Sequence, residues 1–165
     1  MAVEINEVIV IDDSQNINVT GIVTATEFKL PDGSQLTGGL RTVVSRTTAP
    51  IEPSYTENLD ITGFKSYALL KVEISNAAWV RLYVDAASRT SDATRSYLVD
   101  PTPGSGLISE VRTETTGTST FLMTPGVIGW NNDVPVGNTI YAAITNNEGS
   151  RTSITVDLTV LKLED

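Results

Sequence analysis

The sequence predicts an all-β protein: an antiparallel β-sandwich of jelly-roll type preceded by an extended N-terminal β arm. Three observations carry this expectation. Apolar and polar residues alternate with a period of two through much of the chain, and no segment shows a helical period. Threonine, valine, serine and glycine dominate, whereas helix-favouring runs of alanine and leucine are scarce. Glycine and proline turns come at short spacing and divide the chain after Leu59 into about eight strands, whose uneven lengths favour a sandwich over a barrel.

The 165 residues accommodate one ordinary domain and a short extension. There is no cysteine and no histidine, which removes disulfides, thiolate metal sites, Ser-His-Asp and Cys-His catalysis and the usual zinc ligand sets. No metal site and no cofactor are expected. Acidic residues number 20 against 11 basic ones, a formal charge of −9, and this argues against nucleic acid as a partner. Met1-Ala2-Val3-Glu4-Ile5-Asn6-Glu7 has no positive n-region or long apolar run, so no signal peptide is expected. No apolar run is long enough to span a membrane.

Residues 3–11 alternate imperfectly, and the run Val8-Ile9-Val10-Ile11 reads as a strand covered on both faces. That cover comes from another subunit, or the run is an edge strand of the protomer's own sheet; both readings stand. Asp12 and Asp13 close the run, with turn capping favoured over cation binding in an oligomer. In residues 17–39, Ile22, Thr24, Thr26, Phe28 and Leu30 share one side, and Pro31-Asp32-Gly33-Ser34 supplies turn chemistry. Val8, Ile9, Val10, Ile11, Ile22, Phe28 and Leu30 are the candidate oligomerisation or anchoring residues.

Two stretches carry a resemblance. Gly21-Ile22-Val23-Thr24-Ala25-Thr26-Glu27-Phe28, followed by Asp32-Gly33-Ser34 and Leu36-Thr37-Gly38, resembles a segment of tail-fibre and other virion structural proteins of tailed phages, those of marine cyanobacteria especially. The stretch from Ile61-Thr62-Gly63-Phe64 through Ala78-Trp79-Val80-Arg81-Leu82-Tyr83 also resembles a domain of such proteins. The resemblance implies a non-enzymatic subunit located in the virion, made in the host cytoplasm, homotrimeric and contacting other virion proteins. Fibre shafts repeat the glycine-punctuated segment many times. Here it stands once, so a stub, collar or anchoring arm is expected rather than a shaft.

Residues 40–48 read as a further short strand that closes the arm, 1–48. Residues 49–58, with Pro50 and Pro53, read as a stiff linker, and 59–165 as the sandwich. The sandwich is organised around residues 67–85. Ala68, Leu70, Val72 and Ile74 fall on one side, and Tyr67, Leu69, Lys71 and Glu73 on the other. After Ser75-Asn76-Ala77-Ala78 the pattern resumes, with Val80, Leu82 and Val84 opposite Trp79, Arg81, Tyr83 and Asp85. Two such runs with a short link predict an antiparallel pair. The row of Trp79, Arg81 and Tyr83 either rims an interface or is covered by another strand.

Residues 86–106 read as a long polar connection. Its Arg89, Arg95 and Tyr97 are candidates for contact with a sugar or a neighbouring subunit, against the simpler reading of an ordered surface loop. Strands follow at 107–114, at 121–123 and 127–130 about Thr124-Pro125-Gly126, and at 139–145. Asn146-Asn147-Glu148-Gly149-Ser150 is a hairpin signal. The last strand, 154–163, places Ile154, Val156, Leu158 and Val160 inward, and a shift of the inward set to Leu161 and Leu163 predicts a bulge.

No phosphate loop is present, since Thr37-Gly38-Gly39 lacks both the lysine and the following helix. The carboxylate pairs Asp85 with Asp92 and Glu110 with Glu114 are the only enzyme-like features of the sandwich, and solvated face residues are the commoner case. Trp79, Tyr83 and Trp130 form either a stacking platform for sugars or part of a buried layer. The resemblance of the fibre-like segment implies a short-fibre or tail-appendage subunit, with capsid decoration as the close alternative. A module binding host surface glycans through Trp79, Arg81, Tyr83 and the long loop is the alternative from another class.

Overall fold

The computed structural model describes residues 41–164. The chain divides between Thr37 and Gly38, and the described residues belong to the second unit. Val8, Ile9, Val10, Ile11, Ile22, Phe28 and Leu30 lie outside them, as do Asp12 and Asp13.

The described chain is all-β. Its strands are β1 (Arg41–Thr47), β2 (Thr56–Thr62), β3 (Ser66–Ile74), β4 (Ala78–Tyr83), β5 (Leu107–Arg112), β6 (Ser119–Trp130), β7 (Thr139–Asn146) and β8 (Thr155–Glu164), with one short helix, α1 (Ala86–Ser91), after β4. They form two four-stranded antiparallel sheets in the orders β1-β8-β3-β6 and β2-β7-β4-β5. The pairs β1·β8, β2·β7, β3·β6 and β4·β5 nest inside one another, as in a long hairpin folded across two sheets. This is the order of a jelly roll.

That topology corrects three local expectations. β3 and β4 are not partners: the first lies in one sheet and the second in the other, so Ser75-Asn76-Ala77 is an arch between sheets. Asn146–Ser150 is likewise no hairpin, because β7 and β8 lie in different sheets. The pairing partner of each strand is set by burial of both inner faces, not by the shortness of the link to its neighbour. The third correction concerns the boundary at residue 48. β1 pairs with β8 from Arg41↔Leu161 to Thr47↔Thr155, so residues 41–47 belong to the sandwich and not to an arm. The proline-bearing segment then carries the chain from one sheet to the other. Ile51 bridges Thr152, and the fully buried Asn146 donates to Ile51 O at 2.8 Å.

The core lies between the sheets. Leu59 and Ile61 of β2, Val80 and Leu82 of β4, and Ile140, Ala142 and Ile144 of β7 face Tyr67, Leu69, Val72 and Ile74 of β3 and Val156, Leu158 and Val160 of β8. Strict alternation in β3 would have buried Ala68 and Leu70. Instead the register slips between Leu69 and Lys71 against both neighbours, by one residue on β8 and by three on β6, so Tyr67 and Leu69 point inward before the slip and Val72 and Ile74 after it. Opposite this bulge, the two short strands expected about Thr124-Pro125-Gly126 are the single irregular strand β6. The buried Tyr67 ring lies under Gly129, where a side chain would meet Tyr67 Cζ at 2.4 Å; only glycine permits this approach. Near the end of β8 the register against β3 slips again, past Leu163. Leu163 is half exposed there and does not join the inward set.

Candidate functional site

The outer row of β4 is the centre of the site. Val80 and Leu82 turn into the core, so Trp79, Arg81 and Tyr83 point to the outer face of the second sheet, yet all three are buried. Within the described chain their cover is not another strand. It is α1 together with the segment that follows it.

The cover begins with a helix that the polar character of residues 86–106 concealed. Asp85 is its N-cap, in extended conformation, and its carboxylate accepts a hydrogen bond from Ser88 N at 2.6 Å. That bond, foremost, holds the Asp85 carboxyl below its ordinary pKa. Arg89 pins the helix to the sheet. Its Nη1 donates to Leu59 O at 3.0 Å, Ala142 O at 3.2 Å and Asp60 Oδ1 at 2.8 Å, and its guanidinium lies over the Tyr141 ring. Arg89 is therefore occupied in holding the fold, away from the other candidates.

Asp92, at the helix C-cap, is the hub of a buried polar cluster. It accepts from Tyr83 OH at 2.6 Å and from Arg95 Nε at 2.7 Å, and lies 3.8 Å from Arg81 Nη1. Burial raises the Asp92 pKa, but the bonds from Arg95 and Tyr83 and the charges of Arg95 and Arg81 outweigh it, and the net shift is downward. Tyr83 is pushed far up, first by burial and then by its bond to Asp92. Arg95 also reaches Glu110 Oε2 at 2.8 Å and Val99 O at 2.9 Å, and the same carboxylate oxygen accepts from Trp79 Nε1 at 3.0 Å. The guanidinium carbons of Arg81 and Arg95 lie 3.9 Å and 5.1 Å from the centroid of the Trp79 ring.

Outside this layer Tyr97 meets Trp79 edge-on, with ring centroids 6.5 Å apart, and Arg112 stacks 3.7 Å above the Tyr97 ring while pairing with Glu114. Beneath them opens a cleft of about 400 Å³. Its floor carries Arg81, whose Nη2 donates to Thr145 Oγ1 at 3.3 Å, and the Thr145 hydroxyl in turn meets Thr56 Oγ1 at 2.7 Å.

The structure thus joins Trp79, Arg81, Tyr83, Arg95 and Tyr97 and leaves Arg89 apart. The carboxylates weighed as pairs are each engaged elsewhere: Asp85 caps α1, Asp92 holds Arg81 and Arg95, Glu110 holds Arg95, and Glu114 holds Arg112. Nor does a three-ring platform assemble. Trp79 is 6 % exposed, and Trp130 lies at a second hollow, beside Val84 and the segment 101–107. Arg112, Thr145 and Thr56 were not singled out in the sequence. Arg112 stands two positions beyond Glu110 on β5, opposite Trp79 in the register, and only knowledge of the β4·β5 pairing would have found it. No protein-family model matches the chain, and no curated protein matches it.

Proposed function

We propose that the chain is a non-enzymatic structural subunit of a tailed-phage virion, a short fibre or tail appendage whose N-terminal segment anchors it and whose jelly-roll domain is displayed. The observation that carries this reading is the single fibre-like segment, Gly21 to Gly38, placed just ahead of an eight-stranded sandwich. Jelly rolls serve in capsid and lectin domains among others, so the fold agrees with the reading without selecting it. The polar cluster supports it as well: each of its carboxylates is engaged by an arginine or tyrosine of the same chain, which suits a rigid displayed body. On the outer face of the first sheet, exposed Val43 and Leu122 line a hollow with Leu70, and Ile128 is also exposed, which offers subunits an apolar surface for packing.

Capsid decoration is the second reading, favoured by the small acidic sandwich, which would suit a protein lying on a particle surface. The test is a deletion of residues 1–40 compared with the whole chain, read by mass in solution and by incorporation into particles. The reading expects a trimer from the whole chain and a folded domain that no longer attaches from the deletion. Normal incorporation of the deleted form would sink the anchoring role. Imaging the labelled whole chain on the particle separates the two: signal at the tail supports the appendage, signal over the head supports decoration.

A further inference from the structure

The cleft over β4 has a floor that its own chain leaves incomplete. Arg81 is 1 % exposed, and a buried guanidinium is costly unless its donors find acceptors. Two of its nitrogens donate to protein atoms, Nη1 to Asp92 O and Nη2 to Thr145 Oγ1, both at 3.3 Å. Nε has no partner. The nearest carboxylate, Asp92, lies 3.8 Å away with its oxygens already taken at shorter range by Tyr83 and Arg95. The guanidinium that lines the bottom of the hollow therefore keeps one buried donor, Nε, that no described residue satisfies.

The rim repeats the pattern in an exchangeable form. The Arg112 guanidinium lies over the Tyr97 ring and lines the cleft, and its partner Glu114 is an exposed side chain. Exposed pairs contribute little, so an incoming carboxylate exchanges for Glu114 at small cost. Between floor and rim the walls are hydroxyls and an amide, among them Thr56, Thr145 and Asn147, with the half-exposed ring of Tyr97 on one side. A volume of about 400 Å³ lies within the usual range of small-molecule sites.

From these we infer that the cleft binds a carboxylate-bearing saccharide, with the acid group between Arg81 and Arg112, the hydroxyls on the threonine and asparagine wall, and the sugar face beside Tyr97. Guanidinium forks match a planar carboxylate. Asp92, Glu110 and Glu114 already balance the three arginines, so a singly charged acid is accommodated where a phosphate dianion would be repelled. A hydroxyl-rich wall beside one aromatic ring suits a sugar rather than an apolar peptide side chain. The inference concerns the domain alone and stands apart from any role in a particle.

The test titrates the full chain with galacturonate, glucuronate and N-acetylneuraminate, each beside its methyl ester, and with acetate, followed by amide chemical shifts and calorimetry. At least one acid should bind with shifts confined to residues 54–56, 94–97, 112–114 and 145–147, and its ester should bind roughly tenfold or more weakly, as expected for loss of a charge-assisted bond. Arg112→Gln, at an exposed position with little effect on folding, should weaken the acid by a similar factor. Failure of all three acids at millimolar concentration would overturn the inference. So would an ester that binds as well as its acid, a site elsewhere on the domain, or acetate binding as tightly as the sugar acids.

Discussion

Asp92 is the residue whose loss the cluster should tolerate least. Asp92→Ala removes the acceptor of Tyr83 OH and of Arg95 Nε, and it removes the one carboxylate near Arg81. Arg95 retains Glu110 and Val99 O. Tyr83 and Arg81 have no such reserve: the hydroxyl is left unsatisfied, at about 1–3 kcal/mol, and Arg81 becomes a buried charge without compensation. Removing one partner of a buried pair typically costs about 3–5 kcal/mol. With an m-value of about 2 kcal/mol/M in urea, a loss of about 4 kcal/mol lowers the unfolding midpoint by roughly 2 M. Glu114→Ala, at the exposed end of the same arginine series, should change stability by less than about 1 kcal/mol. The double variant Arg81→Met with Asp92→Leu should recover most of the loss, because a buried pair replaced by apolar groups is often close to neutral. An Asp92→Ala loss below about 1 kcal/mol, or a double variant as unstable as the single, would refute the account of the cluster.

Other expectations follow from the same geometry. Gly129→Ala should destabilise by about 1–3 kcal/mol in thermal melts, since the new methyl meets the buried Tyr67 ring and neither can withdraw. Leu158→Ala, at a site with no exposure, should cost about 2–5 kcal/mol by the same assay. Deleting residues 1–48 removes β1 from the side of β8 and should lower the melting temperature measurably below that of a 1–40 deletion, which keeps every described strand. Asp85 and Asp92 contribute to the acid limb, since their folded pKa values lie below their unfolded ones; their contribution is complete above about pH 4 and fades as pH falls through the folded values. Asp92→Asn should therefore flatten the dependence of stability on pH in that range, and an unchanged slope would count against it. Tyr67 and Tyr83 are shifted the other way, so the folded state keeps protons that the unfolded chain sheds, and stability should fall as pH rises above about 10.

The fold class was legible because period-two alternation survives wherever a sheet has one wet face. What the alternation cannot report is pairing. Each short link in this chain, such as Ser75-Asn76-Ala77, reads as a hairpin but spans the gap between sheets, and only the requirement to bury two inner faces at once decides the matter. The bulge at Leu70 was hidden for a related reason: residues 67–70 are apolar on both sides of the strand, and Lys71 and Glu73 face outward in either phase, so no polar residue marks the slip. The helix at residues 86–91 is too short to show a period, and it exists because Asp85 caps it and Arg89 anchors it. For the candidate site, the row of Trp79, Arg81 and Tyr83 announced itself by placing large polar groups on the side away from Val80 and Leu82. Its partners Glu110, Arg112 and Thr145 are distant in sequence and are brought in by the β4·β5 and β4·β7 registers, while Asp92 is brought in by the cap of a helix too short to foresee.

The nesting of the strands also fixes where the ends of the described chain lie. Arg41 opens β1 beside Leu161, and Glu164 closes β8 beside Ser66, so the chain arrives and departs at one pole. The cleft looks out near the other pole, where Ser54 and Asn146 join and Ala78 pairs with Asn146. The mouth of the cleft and the two ends of the described chain therefore stand at opposite poles of the sandwich.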